Sequence, residues 1–339
     1  MGDPIDIKTK KTIPQLKNPK FDKFLVLENL EQNIVSHYDI WGNFQQIWVN
    51  KAYKAFKDFD KYIVMMFLIR NYWQRLADKF NYLSINEFYD LENVIIDKIN
   101  LINISSELNI PKETIRRKVN ELQDADILVR KGKSIVFNKR GVNYQKPENN
   151  IYLLSAFIEK KSNLLQGNHW FGTSLNKEEI KEFVNKYFTI IWLRFFKLQI
   201  PFLIRHRNVF QDLETWVVWG NIALNQQDQM RKARAKDLLT QNIRRDNYYS
   251  NMANFKIERG INASSIADIS RIPRATVIRK LKWLMQQDVV KKNKKLEYQL
   301  KNSGKVNKII SKNTIINQEA VADFLTDIFD YMKNSNFKI

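Results

Sequence analysis

The chain offers little that could carry a reaction. Its three histidines, His37, His169 and His206, are scattered, with no second ligand at metal-binding spacing beside any of them. Cysteine is absent, so thiolate nucleophiles, thiolate metal sites and disulfides are excluded. Neither a glycine-rich phosphate loop nor a nucleophile elbow occurs. No catalysis and no cofactor are expected. What the residues do offer is recognition of a polyanion, concentrated in two short segments. In the first, Ile115, Val119 and Leu122 fall at i, i+4 and i+7 and form one apolar stripe along a helix. The opposite face then carries Glu113, Arg117 and Asn120, with Arg116 at its edge. The equivalent face of the second segment carries Ala275, Arg279 and Lys282, with Ile278 at its edge. Lys112 and Thr114, and Arg274 and Thr276, open the two helices beside Pro111 and Pro273, and proline suits a helix start. A short helix with an apolar back and a basic front fits the major groove of double-stranded DNA.

The two segments repeat each other. Ile104–Leu128 lies on Ile266–Val290 without a gap. Pro111/Pro273, Thr114/Thr276, Arg117/Arg279, Lys118/Lys280 and Asp126/Asp288 are identical pairs, and most other apolar positions exchange conservatively. Apolar spacing recurs by chance among helices; matched Pro, Thr, Arg and Asp at fixed offsets do not.

The run Ile104-Ser-Ser-Glu-Leu-Asn-Ile-Pro-Lys-Glu-Thr-Ile-Arg-Arg-Lys-Val-Asn-Glu-Leu122 resembles the winged helix-turn-helix of bacterial regulators such as the MarR group. The resemblance covers about a quarter of the chain. It implies that Ser105 and Ala267 let two helices cross closely, and that Asn109 takes a left-handed turn position. It also implies two wings, with Arg130, Lys131 and Lys133 near one tip and Lys291, Lys292, Lys294 and Lys295 near the other. The family usually has glycine before the first wing strand, where this chain has Asp126 and Asp288; Asp tolerates the left-handed conformation better than most residues. Arg271 at the second turn and Ser270 in place of an apolar residue are further departures.

The surrounding elements must position these segments. The pattern predicts unbroken helix from Phe21 to Phe80, another helix over Asn86 to Asn100, and two short helices within Asn103 to Val129. Two strands follow over Ile127 to Phe137, then a helix over Ile151 to Leu165. The second half reads as helix over Lys177 to Phe196, a kink or stop at Pro201 and helix within Asp212 to Ile243. A second helix, helix, strand, turn, strand segment spans Ala263 to Leu300, and an amphipathic helix spans Gln318 to Met332. The expected fold is mainly α with small β wings: two winged helix-turn-helix modules in a duplicated, pseudo-dimeric arrangement. Residues 1–20 read as a flexible arm, 21–165 as one half with its module at about 88–138, and 166–339 as the other with its module at about 250–300.

Composition agrees with a globular, polyanion-binding chain. Its 339 residues are 44% hydrophobic, with a formal charge of +20 and an isoelectric point near 9.8. Between Arg271 and Lys295 the basic residues face a single acid, Asp288. Several assignments stay open. Ile278 extends the core stripe or touches a thymine methyl, and Glu113 is a solvated helix-start acid or a partner for a cytosine amino group. The basic run Arg231, Lys232, Arg234, Lys236, Arg244 and Arg245 contacts phosphates or simply faces solvent. Trp41, Trp48, Trp73, Trp192, Trp216 and Trp219 are core or line a pocket for a small effector. The apolar stretch from Tyr187 to Ile204 is interrupted by Arg194, Lys197, Gln199 and Pro201, which reads as a buried helix, not a membrane span. The expected partner is double-stranded DNA, with no membrane contact, for a monomeric pseudo-dimer or a homodimer in the cytoplasm on the nucleoid. Transcriptional regulation is the simplest function. The alternatives are a plasmid-type replication initiator, an architectural DNA binder and a winged-helix interaction scaffold.

Overall fold

The computed structural model describes residues 21–79, 81–96, 99–132, 134–138, 147–165, 175–235 and 243–335. Among them are fourteen helices and five short strands, so the protein is mainly α. The expected arm 1–20 lies outside the described residues.

The first half begins with α1 (Lys23–Gln32), α2 (Ile34–Phe56) and α3 (Phe59–Asp78). The single helix expected over Phe21 to Phe80 is therefore broken twice. At the second break Lys57 takes the left-handed conformation (φ 55°) and Asp58 caps α3, its side chain accepting from the Lys61 N–H. The helix expected over Asn86 to Asn100 is also replaced. A short α4 (Ile85–Asp90) is followed by β1 (Val94–Ile96), three β-branched residues whose ambiguous periodicity is settled by pairing with another strand. After β1 come α5 (Leu101–Leu108), α6 (Lys112–Asp124), β2 (Leu128–Lys131), β3 (Ser134–Phe137) and α7 (Glu148–Leu165). The sheet is antiparallel in the order β1-β3-β2, with Val94 and Leu128 both opposite Phe137.

The second half contains α8 (Lys177–Lys186), α9 (Phe188–Phe210), α10 (Leu213–Arg234), α11 (Tyr248–Asn254), α12 (Ala263–Ser270), α13 (Arg274–Gln286), β4 (Val290–Lys292), β5 (Tyr298–Leu300) and α14 (Lys305–Asn334). Helix α9 runs through Pro201, where a kink or stop is expected. Pro201 is exposed, while the flanking Ile200, Phe202 and Leu203 are buried. Beside the pair β4-β5, Ile261 bridges Tyr298 where a third strand would lie. Gly260 permits that approach, since a Cβ there would stand 2.6 Å from the Tyr298 carbonyl.

The elements of the two halves correspond more widely than the sequence repeat. Helices α1, α2 and α3 start at Lys23, Ile34 and Phe59, and α8, α9 and α10 start at Lys177, Phe188 and Leu213, with the same intervals between them. Helices α2 and α9 are both 23 residues long. From α5 and α12 onward the register is that of the sequence repeat, which is wider. The second half is thus the longer one between its third long helix, α10, and α12.

Contacts between the halves are reciprocal. Helix α3 packs on α9 and α10 packs on α2, while α7 reaches α8 and α14 returns to α1. At the centre Gln45 and Gln199, which occupy matching positions of α2 and α9, exchange two side-chain hydrogen bonds of 2.8 Å, each amide donating to the other. Both are buried. Around them Trp48 packs edge-on to Phe195 and Trp41 edge-on to Phe202, a pair of contacts that interchange when one half is laid on the other.

Among the described residues no single helix is long and apolar enough to cross a membrane; α8 and α9 pass that test only together, bent by 102°. Helix α9 is instead buried along most of its length, and Arg194 on it forms an ion pair with Asp327 of α14.

The central amide pair is testable. Gln45→Leu alone leaves the Gln199 amide buried without a partner and should cost about 1–3 kcal/mol in denaturant unfolding. The double variant Gln45→Leu/Gln199→Leu should recover most of that loss, giving a clearly non-additive cycle.

Candidate nucleic-acid interface

Helices α6 and α13 are each 13 residues long and begin directly after Pro111 and Pro273, whose φ of −53° is the same in both. Their backs are buried as the spacing predicts: Ile115, Val119 and Leu122 in one, Val277, Leu281 and Leu284 in the other. On the fronts, Lys112, Glu113, Arg116, Arg117 and Asn120 are exposed in α6, and Arg274, Ala275, Arg279 and Lys282 in α13. Thr114 and Thr276 are half-buried at the helix starts. Ile278 is half-buried against the core, so it extends the apolar stripe and keeps only a partial outer surface.

The fronts differ in charge. On α6, Glu113 binds Arg116 at 2.6 Å and Arg117 lies 3.7 Å from Glu121, so part of the positive charge is answered locally. Among the described residues neither Arg279 nor Lys282 on α13 is within ion-pairing distance of a carboxylate. Arg274 donates to the Ser264 hydroxyl at 3.1 Å, which ties the start of α13 to α12.

Two lysines that match in the repeat do a different job from the exposed cations. Lys118 is buried, with Nζ 2.8 Å from both Asp58 and Glu121. Lys280, nearly buried, forms an ion pair with Asp212 and lies 3.8 Å from Glu214. Asp58 and Asp212 are the capping residues of α3 and α10. Each front-bearing helix is thereby fastened to the start of the long helix behind it. Burial pulls the Lys118 amine down, but Asp58 and Glu121 outweigh it and leave the amine above its ordinary range. The identity Lys118/Lys280 was the visible signal; its meaning depended on Asp58 and Asp212, each far upstream in the chain.

The turns match the residues available. Asn109 and Arg271 end α5 and α12 in the left-handed conformation, their N–H groups donating to the Ser105 and Ala267 carbonyls. Asp126 and Asp288 take φ of 53° and 58°, the conformation for which glycine is the usual choice. In the strand pairs, Arg130 and Lys131 are exposed, as are Lys292, Lys294 and Lys295; Lys131 donates to the Asn93 side chain at 2.7 Å. Lys133 lies outside the described residues, as do Lys236 and His169.

The second basic run is largely answered within the protein. Arg231 and Lys232 bind Asp228, at 2.8 and 2.5 Å, and Arg245 lies 3.4 Å from Glu319. The six tryptophans are buried. Trp41, Trp216 and Trp219 line a cavity of about 100 Å³ together with His206, and Trp48 and Trp192 line one of about 140 Å³ in the matching place of the other half. Trp73 packs among Phe88, Phe188 and Phe196. His206 lies tilted against the rings of Phe202 and Trp216 and donates from Nδ1 to the Phe202 carbonyl at 2.8 Å. Burial pushes its imidazole down to about 4. Among the described residues no group of three or more metal-ligating side chains is placed to hold an ion.

Comparison of the chain with protein-family models, curated proteins and solved structures returned no match.

Two measurements follow from this geometry. Asp58→Asn keeps the cap but removes the charge facing Lys118, and should lower stability by about 1 kcal/mol, the modest size reflecting partial exposure of Asp58. His206 is neutral in the folded protein well below the pH at which it charges in the unfolded chain. Its contribution is therefore full above about pH 6.5 and is lost as pH falls toward 4, by roughly 3 kcal/mol in all. Unfolding curves across that window should flatten in His206→Gln relative to the unsubstituted protein.

Proposed function

We propose that the chain is a duplicated winged helix-turn-helix protein, folded as an intramolecular pseudo-dimer, that binds double-stranded DNA sequence-specifically as a transcriptional regulator. One observation carries this: two 13-residue helices with exposed, cation-rich fronts and buried apolar backs, each fastened by a buried lysine to the aspartate that caps the helix behind it. The order helix, strand, helix, helix, strand, strand in the first half, and the reciprocal packing of the halves, support the winged-helix and pseudo-dimer parts of the proposal.

On this proposal α6 and α13 enter successive major grooves of one DNA face, at half-sites about one helical turn (roughly 34–36 Å) apart. Their side chains select sequence, and the lysines and arginines of the strand turns hold phosphates. The half-sites differ, because Glu113 and Arg116 of one front are replaced by Ala275 and Ile278 in the other. The more cationic α13 front contributes more of the salt-dependent affinity.

Selection from a pool of random duplexes at two salt concentrations tests the proposal. It should enrich a bipartite motif with unlike halves and steep salt dependence. Arg117→Ala/Arg279→Ala should bind the selected duplex at least about 30-fold more weakly, two contacts at roughly 1–3 kcal/mol each. A folded double variant with unchanged affinity would exclude this docking. Retention without any motif would make the protein an architectural binder, and no retention at low salt would overturn DNA binding altogether.

A further inference from the structure

The tip of the β4-β5 hairpin holds a residue that fits poorly where it stands. The turn is tightly fixed: the Asn293 N–H donates to the Glu297 carbonyl at 2.9 Å and the Leu296 N–H to the Asn293 carbonyl at 3.1 Å. The Asn293 side-chain oxygen accepts from the N–H groups of Lys295 and Glu297, at 3.0 and 2.9 Å. Within it Leu296 adopts φ 62°, a left-handed conformation whose usual occupant in such hairpins is glycine. The matching hairpin of the first half meets the same demand with Gly132, at φ 60°. The leucine side chain is 63% exposed at the tip, so little packing offsets the strain. Lys294 and Lys295 precede it in the turn and Lys291 and Lys292 lie on β4 leading into it, all exposed.

A strained, exposed, large apolar side chain on a cation-rich hairpin implies an occupant that offers an apolar contact beside anionic groups. A protein surface would need a wider apolar patch than one leucine offers. The minor groove of DNA has the required pattern: phosphates along both rims, and between them base steps that an apolar side chain can part.

We infer that Leu296 is a specificity-determining residue, a wedge that enters the minor groove beside the half-site read by α13 and favours an easily unstacked pyrimidine–purine step there. This rests on the proposed DNA binding. The lysines hold the rims and are indifferent to sequence, whereas the leucine reads deformability, because the cost of parting a step depends on which bases are stacked. The first half, with glycine at the left-handed position of its hairpin, lacks this wedge, so the preference appears on one flank only.

The test carries the full-length protein, Leu296→Ala, Leu296→Gly and Lys294→Ala/Lys295→Ala through the same random-duplex selection. Wild type should enrich a pyrimidine–purine step outside one half-site. Both leucine variants should lose that enrichment and bind the selected duplex about ten-fold more weakly, with the half-sites unchanged. Leu296→Gly should melt no lower than wild type, which separates a lost contact from a damaged fold. The double lysine variant should weaken binding to all duplexes alike. Leucine variants that keep the flanking preference and affinity overturn the inference, as does a wild-type motif with half-sites and no flanking step. If wild type retains no duplex at all, the proposed DNA binding itself has failed, and the inference fails with it.

Discussion

Everything else in the structure hangs on the contact between α2 and α9. Both helices carry aromatic side chains on more than one face, and a helix apolar nearly all round must be enclosed by others. The enclosing helices are drawn from both halves: α10 covers α2, α3 covers α9, and α7 and α14 close the sides. At the centre the protein places two amides instead of two more apolar groups. Their mutual hydrogen bonds leave neither donor nor acceptor of the pair wasted, and an amide pair is satisfied only when the two helices meet at one register. Aromatic packing supplies the attraction and the amides supply the alignment.

That alignment is passed outward through α3 and α10. Each has one end in the central layer and, at its capped start, an aspartate that grips a buried lysine of the next module. The same cation type thus serves two purposes. Lys118 and, nearly so, Lys280 are withdrawn from solvent and fix geometry, while Arg117, Arg279 and Lys282 stay exposed. The central cavities lie where the capped helices cross α2 and α9, and their linings differ: Gly42 and Trp219 in one place correspond to Phe196 and Met65 in the other. At Gly220 a Cβ would fall 1.9 Å from the Gln46 amide nitrogen, so a larger residue there would have to displace the Gln46 side chain.

How much of this was legible in the sequence varies with the kind of constraint. Where the backbone demands a residue type, the sequence showed it: Asn109 at a left-handed helix end, Asp126 and Asp288 before the strand pairs, apolar stripes on α6 and α13. The repeat of Ile104–Leu128 in Ile266–Val290 was visible because those demands recur. The correspondence of α1–α3 with α8–α10 was not. Packing in a buried layer requires bulk more than identity, so Trp41 corresponds to Phe195, Trp48 to Phe202 and Tyr62 to Trp216, and the few identical polar pairs, Gln45/Gln199 and Asp58/Asp212 among them, are scattered between unlike residues. The break at Lys57 and the strand at Val94–Ile96 escaped prediction because tertiary contacts decide them. The roles of Lys118 and Lys280 escaped for the same reason: their partners are distant in the chain.

The crossed packing of α7 on α8 and of α14 on α1 has a kinetic and evolutionary consequence. In a protein assembled from two identical chains, the halves separate on dilution, exchange with neighbours, and change together with every substitution. Here the two halves belong to one chain, so the contact between them forms within a single molecule and is first order. A substitution also falls on one side alone. The departures already present, such as Gly132 against a strained Leu296 and the Glu113–Arg116 pair against Ala275 and Ile278, are the kind of divergence that only a tethered pair can accumulate without altering its counterpart.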